Sequence, residues 1–236
     1  MPPDPMLTAC EACGESWLDA HYDYAAVHWN NGLQARPFTL WRYEELLPVT
    51  DPLARVSIGE GWTPIIPAER LGDSLGHAHL LIKDERRNPT NSFKDRQGAI
   101  TVSILKQQGV RELVLASTGN AAAAYAAYCA RAGIKLWIFL TSMVPAEKMR
   151  ELGLYGAEVI KVTGTYDQAK KVAADFAARR NLHFDRGARG VPGKESMKTL
   201  AYEIAEQLGL QYGVNGRWIA PDWYVQAVSG GIGPLG

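Results

Sequence analysis

Short apolar runs alternate along this chain with longer stretches whose apolar residues recur at helical spacing. Leu80 to Lys83, Leu113 to Ala116, Leu136 to Leu140, Val159 to Val162 and Tyr224 to Val228 read as strands. Asp95 to Gln108, Gly119 to Ala132, Pro145 to Tyr155, Tyr166 to Arg180 and Ser196 to Leu208 read as helices. Such alternation predicts an α/β fold, a parallel sheet with helices on both faces. In the helix from Tyr166, the stripe Ala169, Val172, Ala173 and Phe176 opposes Lys170, Lys171 and Asp175, so it is expected to face the core. Gly187 to Gly193 is the loosest stretch and reads as a mobile link between lobes.

Composition narrows the setting. The chain has 236 residues, enough for a substantial core, and its 25 basic and 25 acidic residues cancel. No basic stripe interleaved with aromatics is present, so a nucleic-acid partner is not expected. No secretion signal or membrane-length apolar run is seen, and the expectation is a cytoplasmic protein with no membrane partner. Cys129 falls in an alanine-rich helical pattern that suits a buried thiol. Cys10 and Cys13, followed by Gly14, look like half of a zinc knuckle; no second pair exists, and His21 and His28 do not restore the spacing. No bound metal is expected.

The candidate chemistry begins at Asn88-Pro89-Thr90-Asn91-Ser92-Phe93-Lys94-Asp95-Arg96. Asn88-Pro89 imposes an extended or turn geometry, and Ser92 with Asp95 reads as a capping-box-like helix start. Lys94 then falls in the first turn, where the helix dipole disfavours an ammonium and helps lower its pKa. A neutral lysine amine is the nucleophile that Schiff-base chemistry with a carbonyl cofactor needs. Ser117-Thr118-Gly119-Asn120 closes one strand and opens a helix, where free N–H groups make a seat for a carboxylate. Gly119 removes a side chain from that approach, and the Asn120 amide suits a phenolic oxygen. Val228-Ser229-Gly230-Gly231-Ile232-Gly233 presents several N–H groups to one phosphate. Two nucleotide motifs compete. Ala188 to Glu195 approaches a Walker A loop but has Ala188 and Glu195 where glycine and Ser/Thr belong. Gly231 to Gly236 matches G-x-G-x-x-G without the later helix, strand and ribose-binding acid.

Taken in order, these segments resemble the fold-type II pyridoxal-phosphate enzymes, and among them the threonine synthase family. Its hallmark is N-P-T-G-S-F-K-D-R, with Asn91 here in place of the glycine. Leu40 to Tyr43, Glu44 to Pro48, Gly59 to Pro64 and Lys198 to Ile204 are similar too, so the resemblance runs from about Asp23 onward. It implies a two-lobed, tryptophan synthase β-like architecture with parallel sheets. Residues 29–100 and 190–236 would form an incomplete large cofactor-binding domain, and 101–189 a small mobile domain that closes over substrate. Residues 1–28 would be a separate N-terminal segment carrying the C-x-x-C.

The resemblance also implies pyridoxal 5'-phosphate as cofactor and a division of labour. Lys94 would carry the cofactor as a Schiff base and shuttle protons. Asn120 would bond the ring hydroxyl. The backbone at Ser229, Gly230, Gly231, Ile232 and Gly233 would cradle the cofactor phosphate. Ser117, Thr118 and Gly119 would hold the carboxylate of a small amino-acid substrate. The implied reaction is O-phosphohomoserine plus water giving threonine and phosphate, in an enzyme that is a homodimer at full length. His183 to Arg189 departs from the family's N-S-x-N-P-x-R, keeping only Arg189, helped by Arg186, as a clamp for the substrate phosphate. That departure leaves open an amino-acid ammonia lyase, a cysteate synthase-like β-replacement enzyme or a non-catalytic relic. The phosphate loop of the family leads into further elements, including the partner of the pyridine nitrogen, so residues 1 to 236 alone are expected to be an incomplete catalyst.

Overall fold

The computed structural model describes residues 4, 7–29, 32–213, 217–228 and 230–236. In chain order its elements are β1 (Ile65–Pro67), α1 (Glu69–Leu75), β2 (Leu81–Lys83), α2 (Lys94–Gln107), β3 (Glu112–Ala116), α3 (Asn120–Ala132), β4 (Lys135–Thr141), α4 (Ala146–Leu154), β5 (Glu158–Val162), α5 (Tyr166–Arg180), β6 (His183–Phe184), α6 (Val191–Tyr212) and α7 (Ile232–Leu235), with short 3-10 segments before β1, of which Leu40–Leu46 is the longest, and 3-10 turns at Glu85–Arg87 and Gly187–Arg189. β1 and β2 pair antiparallel, and the other strands form a parallel sheet in the order β5-β4-β3-β6.

Alternate residues of the parallel strands feed two cores. Leu113, Leu115, Leu136, Ile138 and Leu140 pack with α2 and α3, while Val114, Ala116 and Phe139 pack with α5. Both faces of the sheet are covered, which is why these strands read as unbroken apolar runs rather than alternating ones. α2 and α3 approach closely at Gly98, where a Cβ would lie 2.8 Å from the Tyr128 ring. The α/β class and the two covered faces match the expectation from the sequence.

Other expectations fail for identifiable reasons. The run Tyr224 to Val228 forms no strand among the described residues, and Val225 is 92% exposed, as is the preceding Trp223 at 88%. Apolar composition signals a need for cover, yet a strand exists only where a neighbour supplies ladder bonds. Gly187 to Gly193 is not a loose link: Gly187–Arg189 forms a 3-10 turn, and α6 begins at Val191, before the expected Ser196. Pro192 favours that early start, because its fixed φ suits a helix's first turn, and Val191, Pro192 and Gly193 are all buried. On α5 the buried stripe is Ala169, Ala173 and Ala177, with Val172 turned outward.

Candidate active site

The helix start at Lys94 is built by the loop before it. Asn91 adopts a left-handed conformation, φ 61°, and its N–H donates to the Asn88 carbonyl at 2.8 Å. Asparagine tolerates that region better than other side chains, which explains how it stands where the family motif has glycine. The expected Ser92–Asp95 capping box takes another form: Phe93 is the cap residue, and the Asp95 carboxylate instead accepts from the Thr90 N–H at 3.0 Å and the Thr90 hydroxyl at 2.9 Å. Ser92 keeps a role, its hydroxyl accepting from the Lys94 N–H at 3.3 Å.

Lys94 is the first residue of α2 and half-buried, with its amine 4.5 Å from the centre of the Phe93 ring. Burial pulls its pKa down to about 8, against a smaller opposing pull from the Asp185 carboxylate. Asp185 follows β6, and its N–H donates to the Val114 carbonyl at 3.0 Å on the neighbouring strand. Its two oxygens accept from the Tyr125 hydroxyl at 2.7 Å and the Gly187 N–H at 2.8 Å. The Tyr125 hydroxyl accepts in turn from the Gln97 side-chain amide at 3.1 Å, one turn along α2 from Lys94. Nothing in the local sequence singles out Asp185, because its place depends on a two-residue strand pairing with β3.

Ser117 to Asn120 leave the carboxyl end of β3 and open α3. Ser117 is half-buried, Thr118, Gly119 and Asn120 are exposed, and no side chain caps the helix. A Cβ on Gly119 would meet nothing within 4 Å, so the approach to these N–H groups is open. A crevice at the carboxyl ends of parallel strands, beside a helix start, is where α/β sheets bind ligands.

Ser229 lies outside the described residues. After it Gly230 is exposed, Gly231 is left-handed at φ 82°, and Ile232 is buried in the short α7. Ile232 packs on Gly193 so closely that a Cβ there would lie 2.8 Å from it and 3.5 Å from the Gln97 amide. The glycine loop therefore sits on the start of α6, about a helical turn along α2 from Lys94. Gly233 allows close contact with Gln226, whose amide nitrogen would be 2.4 Å from a Cβ. Arg189 is exposed, and Arg186 and Arg189 line a cavity of about 30 Å³ together with His183, Asp185 and Thr8.

A buried ion network holds these parts in register, and it has no motif of its own because its members come from separate segments. Arg96, fully buried, donates to Glu203 at 2.6 and 2.7 Å, to Glu85 at 2.8 Å and to the Thr199 hydroxyl at 3.1 Å. Lys83 adds a bond to Glu203 at 3.0 Å. Burial pushes the Glu203 carboxyl up, but Arg96 and Lys83 outweigh it and hold the pKa at about 2. The lysine segment on α2 and the Lys198 to Ile204 segment on α6 are thus tied through charges. Glu60 plays a similar part, accepting from Trp41 and Tyr128, each at 2.8 Å. Among the described residues no cluster of three or more potential metal ligands forms, and no helix is long and apolar enough to cross a membrane.

A half-buried lysine of lowered pKa, an uncapped helix start and a glycine loop, all on an α/β scaffold, are the parts of a cofactor-dependent enzyme. The chain belongs to the family described as pyridoxal-phosphate dependent enzymes, which matches residues 56–236. Among its relatives, the threonine synthase of Methanocaldococcus jannaschii is 37% identical over 213 residues, covering 88% of this chain and 52% of that protein. The threonine synthase of Halalkalibacterium halodurans is 37% identical over 172 residues, covering 72% of this chain and 48% of that protein. The chain thus spans about half the length of these relatives. Among solved structures, apo diaminopropionate ammonia lyase of Escherichia coli shares the fold with a TM-score of 0.61 at 18% identity, covering 71% of this chain and 57% of that one. Threonine deaminase isoform 2 of Solanum lycopersicum gives 0.58 at 26% identity, covering 73% and 48%.

Proposed function

We propose that this sequence carries the cofactor lysine and substrate-binding half of a threonine synthase, acting on O-phosphohomoserine to give threonine and phosphate. The observation that carries the reading is Lys94: half-buried, without a salt bridge among the described residues, and with a pKa of about 8. The residues present fit pyridoxal phosphate. The α3 start is uncapped and sterically open at Gly119, and Gly230 likewise has open space where a side chain would project, with no heavy atom within 4 Å of a Cβ there. When bound, that cofactor supplies an electron sink beside the substrate's amino group.

The chain's own residues do the rest. A substantial fraction of Lys94 is neutral near pH 8, so its amine serves as nucleophile and then takes and returns protons at the substrate's α and β carbons. Asn120 offers its amide to the ring hydroxyl, and the loop at Ser229, Gly230, Gly231, Ile232 and Gly233 offers N–H groups to the cofactor phosphate. Ser117, Thr118, Gly119 and the helix start behind them seat the substrate carboxylate. Arg189 holds the substrate phosphate through its planar donors. Residues 101–189 move as a lobe that closes over substrate and excludes water. The same reading carries a cytoplasmic homodimer.

The test is phosphate release and threonine formation from O-phosphohomoserine by the protein at its native length. Lys94→Ala should abolish both, and Arg189→Ala should raise KM more than it lowers kcat. A second reading, an amino-acid ammonia lyase, is favoured by one observation, the likeness to threonine deaminase isoform 2 of Solanum lycopersicum at 26% identity and a TM-score of 0.58. Keto-acid and ammonia formation from a hydroxy or diamino acid, without phosphate release, would select it.

A further inference from the structure

Four cations on the wall beside the candidate site are each engaged by the N-terminal segment, and the order of contacts is the same along both stretches of chain. Arg186 donates to the Thr8 carbonyl at 2.9 Å. The Arg189 guanidinium lies 5.7 Å from the Trp17 ring centre, near the Glu15 carboxylate. Lys194, only 4% exposed, donates to the Leu18 carbonyl and pairs with the Asp19 carboxylate. The Lys198 amine sits 3.6 Å from the centre of the Tyr22 ring while pairing with Glu195.

The groups presented by the segment are carbonyl oxygens, a carboxylate and aromatic faces, which are what cations accept in place of an anion. Leu7 and Thr8 also wall the cavity in front of Arg186 and Arg189, leaving about 30 Å³. That is room for about one water, far below the several hundred Å³ of a small-ligand pocket. The attachment is light. Among the described residues, 7–23 make no backbone-to-backbone hydrogen bond to anything beyond the segment's own neighbourhood. Trp17 and Asp19 are themselves exposed.

We propose that residues 7–24 are an autoinhibitory strap that occupies the cationic wall Arg186, Arg189, Lys194 and Lys198, and that a phosphate-bearing ligand displaces it. This rests on the reading of Arg189 as a phosphate clamp and extends it: the anion competes with the strap for the same donors, so binding and release are one event. The segment bearing Cys10 and Cys13 thereby gains a role that needs no metal.

The test uses the cofactor-loaded, native-length protein titrated with inorganic phosphate, followed by hydrogen exchange of peptides covering 7–24. Saturating phosphate should speed exchange there while leaving the α5 peptides unchanged. The double variant Trp17→Ala/Asp19→Ala, which alters only exposed strap residues, should bind phosphate about tenfold tighter and lose the exchange response. Phosphate binding with strap exchange unchanged or slowed, a double variant that binds no tighter, or no phosphate binding by either protein would overturn the strap. Turnover of O-phosphohomoserine is scored separately in the same samples. Strap release without turnover retires the threonine synthase reading and keeps the strap; turnover with a strap that stays protected does the reverse.

Discussion

At Lys94 burial and an opposing carboxylate compete, and burial wins. A lysine in water titrates near 10.4, whereas this one is drawn down to about 8 with Asp185 holding part of the loss back. Its reactivity toward an amine reagent should therefore rise with pH through about 8, and Asp185→Asn should move that midpoint lower; a midpoint near that of free lysine would contradict the role given to burial. Glu203 illustrates the opposite sign. Its folded pKa of about 2 lies below the unfolded value near 4.3, so its stabilisation is fully present above the unfolded value and is lost as pH falls toward 2. Glu203→Ala leaves Arg96 buried and short of a partner and should cost about 3–5 kcal/mol in a denaturation measurement, with a weaker acid dependence than the parent. Lys94 was legible in the sequence because a contiguous segment frames it. Asp185, Gln97 and Tyr125 were not, because they meet only after β6, α2 and α3 have packed, and residues from distant segments leave no spacing to read.

The elements were legible where cover and neighbours are both local. β3 and β4 are the inner strands of the sheet and β5 its edge beside β4, and their apolar runs mark all three to within a residue or two. The run at Tyr224 to Val228 is apolar too but has no ladder partner among the described residues, so it forms no strand and stays largely exposed. β1 and α1 leave little trace in the sequence because short elements with exposed residues carry a weak pattern. At the loop before α2, the left-handed Asn91 gives a direct check. Asn91→Gly should change stability by less than about 1 kcal/mol, since relief of the backbone balances the entropy of the freer unfolded chain. Asn91→Val should cost about 1–2 kcal/mol, because a β-branched side chain is strained there. Equal midpoints for the parent, glycine and valine proteins in urea would refute the assignment of that turn.

Across the whole molecule, α2 is the shared spine. Its start presents Lys94, its middle packs on α3, and Arg96 joins it to α6 through Glu203 and Thr199. That tie keeps the lysine in register with the start of α6, on which the glycine loop rests, while the sheet of β3 to β6 carries the α3 start and Asp185. The family was readable because its motifs are contiguous, whereas the network that binds them and the strap over the cationic wall both join residues more than a hundred positions apart. Under the proposed function Lys94 carries the cofactor. Incubation of the native-length protein with pyridoxal phosphate, borohydride reduction and peptide mapping tests it most directly. A single pyridoxyl group is expected on the peptide containing Lys94, and its loss is expected in Lys94→Ala at unchanged thermal midpoint. A pyridoxyl group on Lys83, Lys194 or Lys198, or on no lysine, would contradict it.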